Sequence, residues 1–216
     1  MSVKTKIIGT VTALLLFLSA NLFAQHIEMG FAAGFDIADL HYTNPSEAHF
    51  LYHISPTAAY NLNGFLSYRN NGFWGFSVEP GIIGKGWNQS LEAGNTKNKI
   101  RLYYFQLPVL SDFYLSNKLY FSIGPEMNYL LHARNKHESV SQNIAEYLNK
   151  FELSGLAAIN YNINEVFTVS FRYSHGVTEI AKNTLWVYSE TDNPNEIKDY
   201  NQYFQLLIKI KLKNRR

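Results

Sequence analysis

Seven charged side chains, Glu79, Asp112, Glu126, Glu152, Arg172, Lys209 and Lys211, stand in stretches otherwise built from apolar, aromatic and small residues. Each falls on the polar parity of an alternating run, so each is expected on the same face of its strand as the small and polar residues two positions away. A charge buried in a packed interior is costly unless it is paired and hydrogen-bonded. Arg172 and Lys209 are therefore expected to meet some of the carboxylates. Such a set could form an ion path or a gate, or it could be a structural plug. In a closed barrel of eight strands the interior is just filled by side chains, which favours the plug.

Two other chemistries are weaker. His41, His49, His53, His132, His137 and His175 gather in what read as long connections. Converging imidazoles can hold a transition metal, but no dense His-x-His spacing occurs, so neither a metal nor a cofactor is expected. Ser139 and Ser141 lie near His137, and Ser174 adjoins His175. Small barrels that modify lipids keep Ser and His near the outer leaflet. Neighbours in a strand point to opposite faces, however, so sequence adjacency does not make a nucleophile and its base, and no catalytic residue is assigned.

The elements that must position these residues follow from parity. Leu119, Phe121, Ile123, Met127, Tyr129 and Leu131 oppose Tyr120, Ser122, Gly124, Glu126 and Asn128. Phe151, Leu153, Ala157, Ile159 and Tyr161 oppose Glu152, Ser154, Ala158 and Asn160; Phe167, Val169, Phe171 and Tyr173 oppose Thr168, Ser170, Arg172 and Ser174. Phe204, Leu206, Ile208, Ile210 and Leu212 oppose Tyr203, Gln205, Lys209 and Lys211. These are dyad patterns of half-apolar strands. Four earlier runs, 27–40, 57–68, 73–87 and 101–115, complete eight strands. Tight polar turns fall at Arg69-Asn70-Asn71-Gly72, Ser116-Asn117-Lys118 and Asn162-Ile163-Asn164-Glu165, and long connections at about 41–56, 88–100, 132–150 and 175–200. Alternation of short and long connections is the layout of an outer-membrane barrel, with tight turns in the periplasm and long loops outside. The fold expected is all-β: an eight-stranded antiparallel up-and-down transmembrane β-barrel with both termini periplasmic. Pro80, Pro108 and Pro125, which lack a ladder donor, are expected to mark bulges or kinks.

Lys4 and Lys6, the apolar run from Ile7 to Leu18 and the small-residue ending at Ala24 read as a cleavable signal peptide over 1–24, leaving 25–216 as one barrel domain. No Cys follows the apolar run, which excludes a lipid-anchored precursor. The leader holds two of the 19 Lys+Arg and none of the 17 Asp+Glu, so the remainder carries 17 minus 17, or zero, net charge. A neutral chain has no footprint for nucleic acid. No later stretch is apolar for the roughly 20 residues a membrane helix needs, so strands must do the crossing.

Parity also suits a soluble barrel with its apolar face inward, and the polar face decides between them. It carries Ser, Gly, Asn, Ala and Tyr with single charges, whereas a water-exposed face would be dense in Lys and Glu. That composition fits a narrow packed lumen, with the aromatic-rich face toward lipid. Tyr68, Trp74, Phe113, Phe121, Tyr161 and Phe167, close to the tight turns, are placed for an interfacial girdle.

Arg101-Leu-Tyr-Tyr-Phe-Gln-Leu-Pro-Val-Leu110 resembles the Tyr-Leu-Glu-Ile-Pro-Leu-Leu strand of the eight-stranded outer-membrane barrel family that includes PorT-like proteins. Phe76-Ser-Val-Glu-Pro-Gly-Ile-Ile-Gly-Lys-Gly86 is similar to the family's third strand, and Tyr120-Phe-Ser-Ile-Gly-Pro-Glu-Met-Asn-Tyr-Leu-Leu131 to its Gly-centred fifth. The resemblance makes Gln106, Pro108 and Gly124 motif positions. Gln106 stands where the family has Glu, and Leu212 takes the place of a strand-terminal aromatic. By analogy the resemblance implies assistance to protein secretion across the envelope of a Gram-negative cell. The loops add apolar anchors at Phe50, Leu51, Tyr52, Trp186 and Tyr188 within polar surroundings, as partner docking would need. The expected partners are outer-membrane lipids, the barrel-assembly machinery and an envelope protein. The expected role is structural or partner-binding and not catalytic, with a narrow solute or ion channel as the alternative and a lipid-modifying enzyme third.

Overall fold

The computed structural model describes residues 26–43, 52–70, 72–91, 97–137, 140–181 and 198–212. The segment read as a signal peptide, the loop anchors Phe50, Leu51, Trp186 and Tyr188, and His49 lie outside the described residues. The strands are β1 (His26–Thr43), β2 (Tyr52–Arg69), β3 (Trp74–Val78), β4 (Gly81–Leu91), β5 (Lys97–Tyr114), β6 (Leu119–His137), β7 (Val140–Asn143), β8 (Phe151–Asn162), β9 (Phe167–Gly176) and β10 (Lys198–Lys211). All pairings are antiparallel, and β10 returns to pair with β1, so the sheet closes. With β3 and β4 forming one interrupted stave and β7 pairing only with β6, the ring has eight strands.

The alternation read from sequence is the inside-outside alternation of this ring. Phe31, Phe35 and Ile37 on β1, Phe204, Leu206, Ile208 and Ile210 on β10, and Phe121, Ile123, Tyr129 and Leu131 on β6 are exposed on the outer wall, while their neighbours are buried. A barrel removes sheet edges, so every stave finds a partner on both sides.

The turns close as their residues suggest. Asn164 Oδ1 accepts hydrogen bonds from the amides of Val166 and Phe167, and Ser116 Oγ accepts from those of Lys118 and Leu119. A short polar side chain thus stands in for a missing backbone partner. The described chain begins and ends at this same rim, where Gly30 pairs with Lys211 and the Lys211 amide donates to the Val166 carbonyl.

Three features differ from the sequence expectation. The third strand breaks at Glu79-Pro80, where the Glu79 amide donates to the Pro108 carbonyl. Pro80 is thus a true interruption, but Pro108 and Pro125 stay within continuous strands and make no bulge. Pro125 would pair with Val109; lacking an N–H it cannot, and the β5–β6 ladder lapses at Val109 and Leu110 without a change of register. Finally, the strands run further toward the long connections than the apolar runs do, to Thr43, Leu91 and His137 at one end of their elements and from Tyr52, Lys97 and Lys198 at the other. There the outward face is polar, as in the pairs Ser55↔Asn88 and Lys99↔Lys136, so the apolar-out alternation that reveals a strand is missing.

Candidate functional site

The lumen holds the candidate chemistry. Because β3 and β4 climb from a tight turn toward the long-connection rim, Glu79, Lys85 and Trp87 mark successive depths on one stave. Glu79 and Lys85 are separated by up to about 20 Å at the usual strand rise.

Glu79 anchors the lower level. Arg172 Nη2 donates to its Oε2 at 2.5 Å and Lys209 Nζ to its Oε1 at 2.7 Å, and all three side chains are buried. β9 and β10 present the two cations and the interrupted stave presents the acid across the barrel. Arg172 Nε also donates to Ser170 Oγ at 3.1 Å. Nearby on β5, Asp112 has no cation within salt-bridge distance among the described residues and instead accepts from Ser122 Oγ at 2.5 Å, which in turn accepts from Asn160 Nδ2 at 2.8 Å.

Lys85 holds the upper level. Its ammonium lies 2.8 Å from Glu152 Oε1 and 3.3 Å from Glu126 Oε1, and 5.1 Å from the ring centres of both Tyr104 and Tyr203. The remaining lone pairs are served by neutral donors. Asn201 Nδ2 donates to Glu152 Oε2 at 2.6 Å, Ser154 Oγ to Glu152 Oε1 at 3.0 Å, Asn128 Nδ2 to Glu126 Oε1 at 2.8 Å, and the Tyr203 hydroxyl to Glu126 Oε2. Between the levels, Asn61 Nδ2 donates to Asp36 Oδ1 at 2.7 Å and Gln106 Nε2 to Asn63 Oδ1 at 2.7 Å.

Above Lys85 the lumen turns apolar. Trp87, Ile100, Leu102, Leu130 and Ala133 from the wall pack with Leu148 and Ile180 from the segments after β7 and β9. Those segments are tied across the mouth, since Asn149 donates from its side chain to the Glu179 and Ala181 carbonyls and from its amide to the Ile180 carbonyl. Lys198 at the start of β10 ion-pairs with Glu179 at 3.2 Å, and that hydrogen bond holds its ammonium above the usual lysine range.

Of the seven charges expected in one network, the structure groups Glu79 with Arg172 and Lys209, sets Glu126 and Glu152 around Lys85, and leaves Asp112 with neutral donors. Lys211 is a correction. It faces inward but lies at the tight-turn rim, 2.8 Å from the half-exposed Glu28, and takes no part in the buried network. The reason is its place at the last residue of β10, beyond the packed interior. Gln106 is buried and its side chain is held by a neutral partner, Asn63. Gly124 has a steric reason, because a Cβ there would lie 2.1 Å from the Val109 carbonyl oxygen. Pro108 is inward and buried, its carbonyl accepting the Glu79 amide. Tyr52 begins β2, its backbone paired with Leu91.

Lys85 and Asp36 were missed by the sequence reading. Lys85 shares parity with Glu79, six positions away, and so carried a usable signal that the motif's closing Lys-Gly obscured. Asp36 shares parity with Ala32 and Ala38, small residues that made the first strand's inner face hard to assign. Ser174 is buried inside while His175 lies outside, its ring 5.2 Å from that of His41. The pair is thus split between the two faces of the wall. No group of three or more His, Cys, Asp or Glu side chains comes together as a metal site among the described residues.

The family that the sequence matches agrees with this architecture. Residues 23–182 match the family described as outer membrane protein beta-barrel domain. Among solved structures, the chain is similar to Neisserial surface protein A, with TM-score 0.48 and 13% identity over 85% of this chain and 97% of that one. It is also similar to Ail, the attachment invasion locus protein of Yersinia pestis, with TM-score 0.46 and 12% identity over 86% and 98% of the two chains. The outer membrane protein OprG from Pseudomonas aeruginosa has TM-score 0.43 and 12% identity over 86% and 94%. No curated protein matches the sequence.

Proposed function

Since the chain belongs to the outer membrane protein beta-barrel domain family, we propose that it is an integral outer-membrane protein that works by presenting its rims to envelope partners, without catalysis or conduction. The observation that carries this reading is the filled lumen. Two ion-paired levels are stacked under the apolar closure of Trp87, Leu102, Leu148 and Ile180, which puts the chain's accessible surface at its ends. In this reading the long connections face outward and the tight turns and both termini face the periplasm. The PorT-like resemblance of the strands at Gln106 and Gly124 would add, by analogy, a role in protein secretion. Photo-crosslinkers placed at Asn117 in a tight turn and at the exposed Tyr147 in the connection between β7 and β8 test it in living cells. A discrete adduct with an envelope protein is expected from at least one of them, and silence at both would overturn partner binding.

A second reading, a narrow cation path, has one observation in its favour. Six buried carboxylates (Asp36, Glu79, Asp112, Glu126, Glu152, Asp199) stand against three buried cations (Lys85, Arg172, Lys209) among the described residues. Planar-bilayer recording separates the two, since discrete conductance steps that disappear on Glu126→Gln would replace the closed-lumen reading.

A further inference from the structure

On the outer wall above the apolar belt, β5 and β6 carry four cations in register. Lys99 pairs with Lys136 and Arg101 with Arg134, each directly across the ladder from its like. Like charges directly opposite one another destabilise a sheet, so this arrangement asks for a reason. A bulge produces it. The register shifts between Tyr103 and Tyr104, so that His132 faces Tyr103 while Leu130 faces Tyr104, leaving Leu131 as the extra residue. Below the bulge the even positions of β6 point inward, as Tyr120, Ser122, Glu126, Asn128 and Leu130 do; above it Ala133 is inward and His132, Arg134 and Lys136 are exposed. Without the bulge Arg134 and Lys136 would enter the lumen. Bulges re-aim side chains at functional places.

No described carboxylate forms a salt bridge with any of the four cations. The two arginines are instead positioned by neutral groups. Arg101 donates to the Trp87 carbonyl at 3.2 Å, to the Ile100 carbonyl at 2.8 Å and to Asn88 Oδ1 at 2.9 Å, and the Arg134 guanidinium lies 5.6 Å from the Tyr103 ring, itself stacked on His132. A cavity of about 460 Å³ opens on the β4 side of Lys99 and Arg101, which line it together with Asn88 and Ser90. The height also fits. Tyr103, Tyr129 and Leu131 are the last large apolar residues facing outward on these strands, and Arg101 lies two residues, or about 7 Å, beyond Tyr103, the depth of the headgroup layer above the hydrocarbon.

We propose that Lys99, Arg101, Arg134 and Lys136 form a binding site for the phosphate groups of an anionic lipid in the outer leaflet. Guanidinium groups grip phosphate oxygens bidentately while ammonium groups add charge, and the planar Tyr103 and His132 flank the site at the interface where amphipathic rings reside. Phosphates in the ladder would turn the mutual repulsion of the four cations into attraction for a common anion.

The test uses the refolded barrel in phosphatidylcholine nanodiscs doped with diphosphorylated lipid A, or with the same lipid stripped of phosphate, with lipid retention read by native mass spectrometry. The intact protein is expected to retain the phosphorylated lipid preferentially, and the variant Lys99→Gln/Arg101→Gln/Arg134→Gln/Lys136→Gln to lose it, by about fivefold per cation removed. The exchange Arg101→Lys/Arg134→Lys, which keeps charge, is expected to retain most of it. Equal retention of both lipids, or an unchanged quadruple variant, would overturn the proposal. Displacement by millimolar inorganic phosphate would also overturn it, in favour of a site for a free anion. Should the quadruple variant not refold, the exposed pair Lys99→Gln/Lys136→Gln reads the same loss on a smaller scale.

Discussion

Inside the barrel each of the three cations Lys85, Arg172 and Lys209 touches a carboxylate on another strand, whereas on the outer wall of β5 and β6 four cations face one another two by two. The difference lies in what surrounds them. A lumen without bulk water cannot screen an isolated charge, so the fold must supply its counterion. At the outer rim, water and headgroups do the screening, and a mismatch there can be kept for a ligand. Pairing in the lumen therefore speaks to stability, and mismatch at the rim to recognition.

The harshest way to break that contrast is to strand the lower lumen pair. Glu79→Leu leaves Arg172 and Lys209 buried without a counterion and is expected to cost about 3–5 kcal/mol of unfolding free energy, read from the urea midpoint in lipid vesicles. A loss below about 1 kcal/mol would show that the lumen charges do not depend on one another. Next comes Lys85→Met, which leaves Glu126 and Glu152 supported by Tyr203, Asn128, Asn201 and Ser154. Those donors offset part of the damage, so about 3 kcal/mol is expected, the lower end for a broken buried pair. Ser122→Ala probes a carboxylate that has only neutral partners. It removes the 2.5 Å bond to Asp112 and is expected to cost about 1–3 kcal/mol, the penalty of an unsatisfied buried acceptor.

How far these places could be read from the sequence depended on whether parity survived locally. Along β8, β9 and β10 the alternation of Phe171 with Arg172, or Ile208 with Lys209, is clean because each strand has lipid-side bulk and lumen-side small or polar groups from end to end. The closed eight-strand ring and the inward aim of Glu79, Glu126, Glu152 and Arg172 were legible for that reason. Partner choice was not. Which acid meets Lys209 depends on shear around the whole ring, a quantity that no single strand carries. Lys85 sits in a stretch where Ile83, Gly84, Lys85, Gly86 and Trp87 are all buried and Gly86 adopts φ 136°, so alternation fails beside it. Lys99, Arg134 and Lys136 fell in stretches read as long connections, 88–100 and 132–150, and even with β6 extended to His137 its parity would send Arg134 and Lys136 inward; the pairing of Tyr103 with His132 reveals their turn outward.

The mildest substitution sharpens the contrast most. Arg134→Glu converts the Arg101↔Arg134 pair from like to opposite charge without touching the lumen, and a cross-strand pair of opposite charge contributes roughly 0.2–1 kcal/mol. In phosphatidylcholine vesicles at low salt, the variant is expected to unfold at slightly higher urea than the native barrel, by about 0.5 kcal/mol. The gain should shrink in high salt, because exposed charges are screened there. With phosphorylated lipid A present the order should reverse, since the native ladder then has anions to bind and the variant presents a carboxylate to them. A native barrel that is already the more stable in neutral lipid would mean that Arg101 and Arg134 are held by the Trp87 carbonyl, Asn88 and the Tyr103 ring for the sake of the wall itself. The rim would then follow the same rule as the lumen.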